Sequence, residues 1–133
     1  MTKILLVEDN DLNADMLGRR LTMRGYQVVR AADGRQAIAL AVQERPDVIL
    51  MDLFLPEISG CDATREVKRA QATAPIPVIA LSAHAMEDER DRALAAGCEA
   101  FETKPVDFDR LLQTMERLLA SRPSSRNKGS NRP

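Results

Sequence analysis

Short apolar runs alternate along the chain with longer segments whose apolar residues return every three or four positions. The runs are KILLVE (3–8), YQVVRA (26–31), DVILMD (47–52), IPVIALS (76–82) and CEAFET (98–103). Their length and their content of Val, Ile and Leu predict strands. The segments between them predict helices. The first ends near Gly25, and DGRQAIALAVQE is stopped by Arg45-Pro46. SGCDATREVKRA opens at Ser59-Gly60, EDERDRALAAG closes on Gly97 as a C-terminal cap, and DFDRLLQTMERLLA (107–120) completes the series. The result is five β–α units in an α/β chain. Runs without regular polar alternation suit strands buried on both faces, as in a parallel sheet with helices packed on either side.

Two helices carry further pattern. The last one gathers Phe108, Leu111, Leu112, Met115, Leu118 and Leu119 on one face, which is to pack on the sheet. The first has two stripes. Leu17 and Leu21 with Ala14 and Gly18 form one, and Leu12, Met16 and Met23 form another about 160° around the helix at about 100° per residue. A single buried face cannot easily hold both, so Leu12, Met16 and Met23 are expected to be exposed and to dock a partner.

Composition narrows the classes. The chain has 133 residues, 44% apolar and 29% charged, which suits one soluble domain. A net charge of −1 hides an asymmetry: residues 121–133 hold four of the 19 basic side chains and no acid. Residues 1–120 are therefore acidic overall, which disfavours nucleic-acid binding. The Ser/Arg/Asn-rich segment 121–133 is expected to be a disordered basic tail behind a folded domain of residues 1–120. Cys61 and Cys98 form no metal-type spacing, and no stretch reads as a signal peptide or a membrane span. A cytoplasmic setting is expected.

The chemistry sits at the predicted strand ends. Strand one delivers Glu8 and Asp9, strand three Asp52, strand four Ser82 and strand five Lys104; strand two delivers nothing polar before Asp33. Ligands of open parallel sheets bind beyond the carboxyl ends of the strands, and these residues converge there if the strand order is 2-1-3-4-5. Any one of the acids alone reads as a helix cap or turn residue. Together, three carboxylates call for a hard divalent cation such as Mg²⁺. A lysine and a hydroxyl opposite suit phosphoryl oxygens, and a central carboxylate can serve as the nucleophile.

VEDN (7–10), MDLFLPEISG (51–60), ALSAHAM (80–86) and KP (104–105) resemble the receiver domain of two-component response regulators. The resemblance covers residues 3 to 120 and is strongest to stand-alone regulators of the DivK type and to receivers of hybrid histidine kinases. It implies a flavodoxin-like (βα)5 three-layer sandwich. Asp52 would be the phosphoacceptor, taking its phosphoryl group from a phosphohistidine on a histidine kinase or a histidine phosphotransfer protein. Asp9, Asp52, the Phe54 carbonyl and Glu8, directly or through water, would hold Mg²⁺, for which Mn²⁺ can substitute. Lys104, set by a cis peptide to Pro105, would contact the phosphoryl oxygens. Ser82 and Phe101 would form the switch, and Phe54 and His84 occupy positions that tune dephosphorylation. Glu8, Ser82 and Phe101 stand where many receivers have Asp, Thr and Tyr.

The implied activity is that of a single-domain response regulator, because no output domain fits after residue 120. It would signal by phosphorylation-dependent binding to an unidentified downstream protein, or by passing the phosphoryl group onward, as a monomer or weak dimer. Self-catalysed phosphotransfer and autodephosphorylation would be its only chemistry. A constitutive scaffold is one alternative. A Mg²⁺-dependent aspartyl-phosphate phosphohydrolase is another, disfavoured by Phe54 where a general acid would stand and by the lack of a cap insertion.

Overall fold

A computed structural model describes residues 1–84 and 86–121. The elements follow in strict alternation: β1 (Lys3–Val7), α1 (Asp11–Met23), β2 (Gln27–Ala31), α2 (Gly34–Glu44), β3 (Val48–Asp52), α3 (Gly60–Arg69), β4 (Val78–Ser82), α4 (Glu87–Ala96), β5 (Ala100–Thr103) and α5 (Phe108–Ser121). The five strands are parallel, in the order β2-β1-β3-β4-β5. Residues 122–133, where the basic tail is expected, lie outside the described residues.

The sheet divides the core in two. Leu5, Val7, Ile49, Met51, Val78 and Ala80 face α2, α3 and α4, where Ala37, Ala41, Ala63, Val67 and Ala93 meet them. Ile4, Leu6, Val48, Leu50, Ile79 and Leu81 face α1 and α5, against Ala14, Leu21, Leu111 and Met115. Successive strand residues thus serve opposite layers, and β1, β3 and β4 read as apolar runs because both of their faces are buried. A fully buried Leu or Ile stabilises the fold by about 1.5–3 kcal/mol, so this sheet supplies much of the driving force.

Strands β2 to β5 begin one or two residues later than the apolar runs, and for β4 and β5 the reasons are local. β4 starts at Val78 because Pro77 has no N–H for the ladder, although its carbonyl still accepts from Ile49. β5 starts at Ala100 because Gly97, at φ +114°, closes α4 and the Cys98 N–H turns back to the Ala93 carbonyl. Helix starts are capped by side chains: Asn10 accepts from the Asn13 N–H, Asp33 from Gln36 and Ser59 from Asp62. On α1 the two stripes separate as expected. Leu21 is buried, while Leu12, Met16 and Met23 are 66%, 56% and 85% exposed.

Candidate functional site

The carboxyl ends of β1, β3 and β5 bring their polar residues together. Asp52 is the last residue of β3 and is buried, as is Glu8 immediately after β1; Asp9 beside it is exposed. One carboxylate oxygen from each of the three lies within 4.8 Å of those from the other two. Lys104, just past β5, answers them, with Nζ 2.8 Å from Glu8 Oε1 and 3.2 Å from Asp52 Oδ2. The two buried acids and the lysine are thereby joined across 96 and 52 residues of sequence.

Backbone groups complete the cradle. The Phe54 N–H donates to Asp52 Oδ1 at 3.0 Å, and the Asn10 N–H donates to Glu8 Oε2 at 3.2 Å. The Lys104 N–H donates to the Ser82 carbonyl at 2.7 Å, which ties the β5 end to the β4 end. The Lys104-Pro105 peptide is cis. Gly60 is required at the foot of the loop after β3: a Cβ there would run into the Asp52 carbonyl and lie 2.7 Å from Leu53 Cα. The absence of a side chain lets α3 begin directly beneath the acid.

Electrostatics follow from burial. Loss of hydration pushes the Asp52 carboxyl above the usual aspartate range; the Phe54 N–H and Lys104 oppose this, and Glu8 adds to it. Burial alone would lower Lys104, yet the Glu8 hydrogen bond and the Asp52 and Glu8 charges outweigh it and hold the ammonium above its ordinary value. Three carboxylates against one ammonium leave an excess of two negative charges, all on hard oxygen donors. A divalent cation of the Mg²⁺ class fits that donor set in charge and in ligand type.

The remaining residues expected at the site fall into place unevenly. Ser82 is fully buried, and its Oγ lies 3.1 Å from both the N and the O of His84. Among the described residues no hydrogen bond joins that hydroxyl to the side chain of Asp52 or of Lys104. Phe101 is partly exposed and lines a separate cleft with Met86, Glu87, Arg90 and Arg110; the Arg90 guanidinium sits 6.0 Å from its ring centre. Phe54 and His84 come together, with ring centres 4.8 Å apart and planes tilted by 59°. The exposed stripe of α1 serves two places. Met16 lines the cleft that leads to Lys104, with Asn13, Arg20 and Pro105, whereas Met23 borders a groove toward β2.

Sequence reasoning missed Arg30. Strand β2 was expected to bring nothing polar, yet Arg30 reaches across to the neighbouring strand end. Its Nε and Nη2 donate to the Glu8 carbonyl at 3.1 and 2.7 Å, and Nη1 pairs with Asp11 at 2.8 Å. The signal was present in an edge strand that ends in an arginine one position before its last residue, because an edge strand has a face free to carry charge. Glu89 was also missed. It lies 3.4 Å from Ser82 Oγ and sits in an unbroken run of charged residues, EDERDR, whose pattern does not mark one acid as inward.

Comparison with known proteins agrees with this geometry. Residues 4–116 match the family model described as the response regulator receiver domain. The chain is 39% identical over 116 residues to the polar-differentiation response regulator DivK of Brucella anthropi, covering 87% of this chain and 94% of that protein. The DivK of Brucella ovis is likewise 39% identical, over 120 residues, with 90% and 98% covered. Among solved structures, the receiver domain of the sensor histidine kinase PA1611 from Pseudomonas aeruginosa superposes with a TM-score of 0.85 at 38% identity, covering 90% of this chain and 98% of that one; it has a magnesium ion coordinated in its active-site cleft. The chemotaxis protein CheY4 of Vibrio cholerae superposes with a TM-score of 0.83 at 30% identity, with 89% and 98% covered. No helix among the described residues is long and apolar enough to cross a membrane. With sequence, fold and acidic cleft in agreement over nearly the whole described chain, the protein belongs to the response regulator receiver domain family.

Proposed function

We propose that Asp52 accepts a phosphoryl group from a phosphohistidine on a histidine kinase or histidine phosphotransfer protein in the cytoplasm. The observation that carries this reading is the placement of Asp52, a buried acid held between the Lys104 ammonium and the Phe54 N–H inside an acidic cluster. A partly desolvated carboxylate is a stronger nucleophile than a hydrated one. A carboxylate oxygen of Asp52 attacks phosphorus; the P–O bond forms as the P–N bond breaks, and the donor imidazole leaves with the electron pair and takes up a proton. Asp9, Asp52 and Glu8, with the Phe54 carbonyl, would hold Mg²⁺, which supplies charge neutralisation for the phosphoryl oxygens when bound. Mn²⁺ would serve as well.

Lys104 exchanges its contact with Asp52 for one to a phosphoryl oxygen, and the Ser82 hydroxyl turns toward the same group. Phe101 follows into the space behind Ser82. The paired rings of Phe54 and His84, which follow the ends of β3 and β4, govern the access of attacking water. Signalling then proceeds by phosphorylation-dependent binding to a downstream protein or by onward phosphotransfer, from a monomer or weak dimer, without turnover of an external substrate. The exposed residues Leu12, Met16 and Met23 on α1 form the docking side for the donor. The test is intact-mass spectrometry after incubation with Mg²⁺ and acetyl phosphate. One phosphoryl adduct on the wild type that is absent from Asp52→Ala and from the metal-free reaction is expected. An adduct that survives in Asp52→Ala would overturn the assignment.

A further inference from the structure

Ser82 has an attachment that competes with any role at Asp52. Its side chain is fully buried, so its hydroxyl needs a partner whichever way it points. Oγ accepts the His84 N–H at 3.1 Å. Its own hydrogen has two acceptors within reach, the His84 carbonyl at 3.1 Å and Glu89 Oε1 at 3.4 Å. Only Glu89 carries a charge, and at equal distance a charged acceptor holds a hydroxyl more strongly than a neutral one, so a small shift of the side chain toward Ser82 decides between them.

Glu89 is itself held in place. Arg92 Nη2 lies 3.1 Å from its other oxygen, and the Glu89 side chain is 14% exposed. Glu87, Asp88 and Asp91 of the same charged run are exposed. Glu89 is therefore the acid of this run that turns inward, and it borders the groove formed by Leu53, Phe54, Cys61 and Arg65 on the flank of the Asp52 loop.

We propose that Glu89 is a positioning residue that holds the Ser82 hydroxyl in its resting orientation, with Arg92 fixing the carboxylate. The inference rests on the phosphoacceptor reading of Asp52. A hydroxyl has one proton, so Glu89 and a phosphoryl oxygen on Asp52 compete for it, and both are anionic acceptors. When the phosphoryl group wins, Glu89 loses its contact with β4 and keeps its ion pair with Arg92 of the same helix. The chemical state of Asp52 is thus passed to α4 by the exchange of one hydrogen bond.

The experiment compares the rate of adduct formation from acetyl phosphate and Mg²⁺, by intact mass, in wild type, Glu89→Gln, Ser82→Ala and the double variant. Glu89→Gln should phosphorylate about three- to tenfold faster than wild type, the range expected for releasing one long charge-assisted hydrogen bond. The acceleration should vanish in the Ser82→Ala background, where there is no hydroxyl to release. Glu89→Asp keeps the charge at the start of α4 but withdraws it from Ser82, and it should accelerate the reaction as Glu89→Gln does. Equal rates in wild type and Glu89→Gln, or an acceleration that persists without the Ser82 hydroxyl, would overturn the latch and leave the phosphoacceptor reading standing. No adduct on wild-type Asp52 would overturn both.

Discussion

Replacing Asp52 by Asn should make the metal-free protein more stable, not less. The substitution keeps the shape and an oxygen for the Phe54 N–H, and removes one charge. At an effective dielectric of about 20, repulsion from Glu8 across the 4.8 Å cluster is about 3.5 kcal/mol, and exposed Asp9, screened by water, adds about 1 kcal/mol. Attraction to Lys104 at 3.2 Å is about 5 kcal/mol on the same scale. The Coulomb terms nearly cancel, so the loss of hydration at a side chain that is 7% exposed decides the sign. A net gain of about 1 kcal/mol corresponds to a Tm higher by about 3–5 °C for a domain of this size.

Thermal unfolding followed by circular dichroism, in EDTA and then in excess Mg²⁺, tests this directly. The wild type should gain about 2.7 kcal/mol from Mg²⁺ at a hundredfold excess over its dissociation constant. The variant, with one anionic charge fewer in the acidic cluster, should gain far less, so the order of stabilities inverts between the two buffers. The pH dependence has a definite sign. Because the folded-state pKa of Asp52 is raised, its protonated form favours folding; that contribution is full below the unfolded value of about 4 and is lost as pH rises through the folded value. The advantage of Asp52→Asn in EDTA should therefore be present at neutral pH and shrink as pH falls toward 4. A variant less stable than wild type in EDTA at pH 7 would refute the reasoning, since the Lys104 pair would then outweigh desolvation.

Three further outcomes are expected. Gly60→Ala, which drives a methyl group into the backbone of Asp52 and Leu53, should cost roughly 3 kcal/mol in urea unfolding, whereas Gly25→Ala, at φ +92° with nothing within 4 Å, should cost only about 1 kcal/mol of backbone strain. Burial pushes the Cys98 thiol up to about 11, so at pH 8 only about one molecule in a thousand carries the thiolate, and iodoacetamide should modify the less buried Cys61 first by peptide mass mapping. Met16→Glu should slow phosphotransfer from a phosphohistidine donor by tenfold or more while leaving the acetyl phosphate reaction unchanged; an unchanged rate from the protein donor would remove Met16 from the docking side.

The parts of the site that were legible in sequence are those the sheet itself determines. In a parallel sheet every strand points the same way, so the last residue of each apolar run must come out on one edge, and Asp52, Glu8 and Ser82 could be placed there from their positions alone. The acid at the end of VILMD was conspicuous because all five residues of β3 are buried, and a carboxylate closing such a run needs partners. What the pattern could not supply was the identity of cross-element partners. Arg30 reaches the Glu8 carbonyl, and the Phe54 and His84 rings meet, through side-chain directions that depend on twist and loop path and not on spacing. Helix α4 was the least legible for a related reason. Its only buried residues are Ala93 and Ala96, so hydrophobic periodicity barely defines an inward face, and its inward acid is selected by the groove it meets. Strong amphipathic faces such as that of α5 announce what they pack against. Helix α4 offers no such face, so its inward acid is identified only by its distance from Ser82 and its burial.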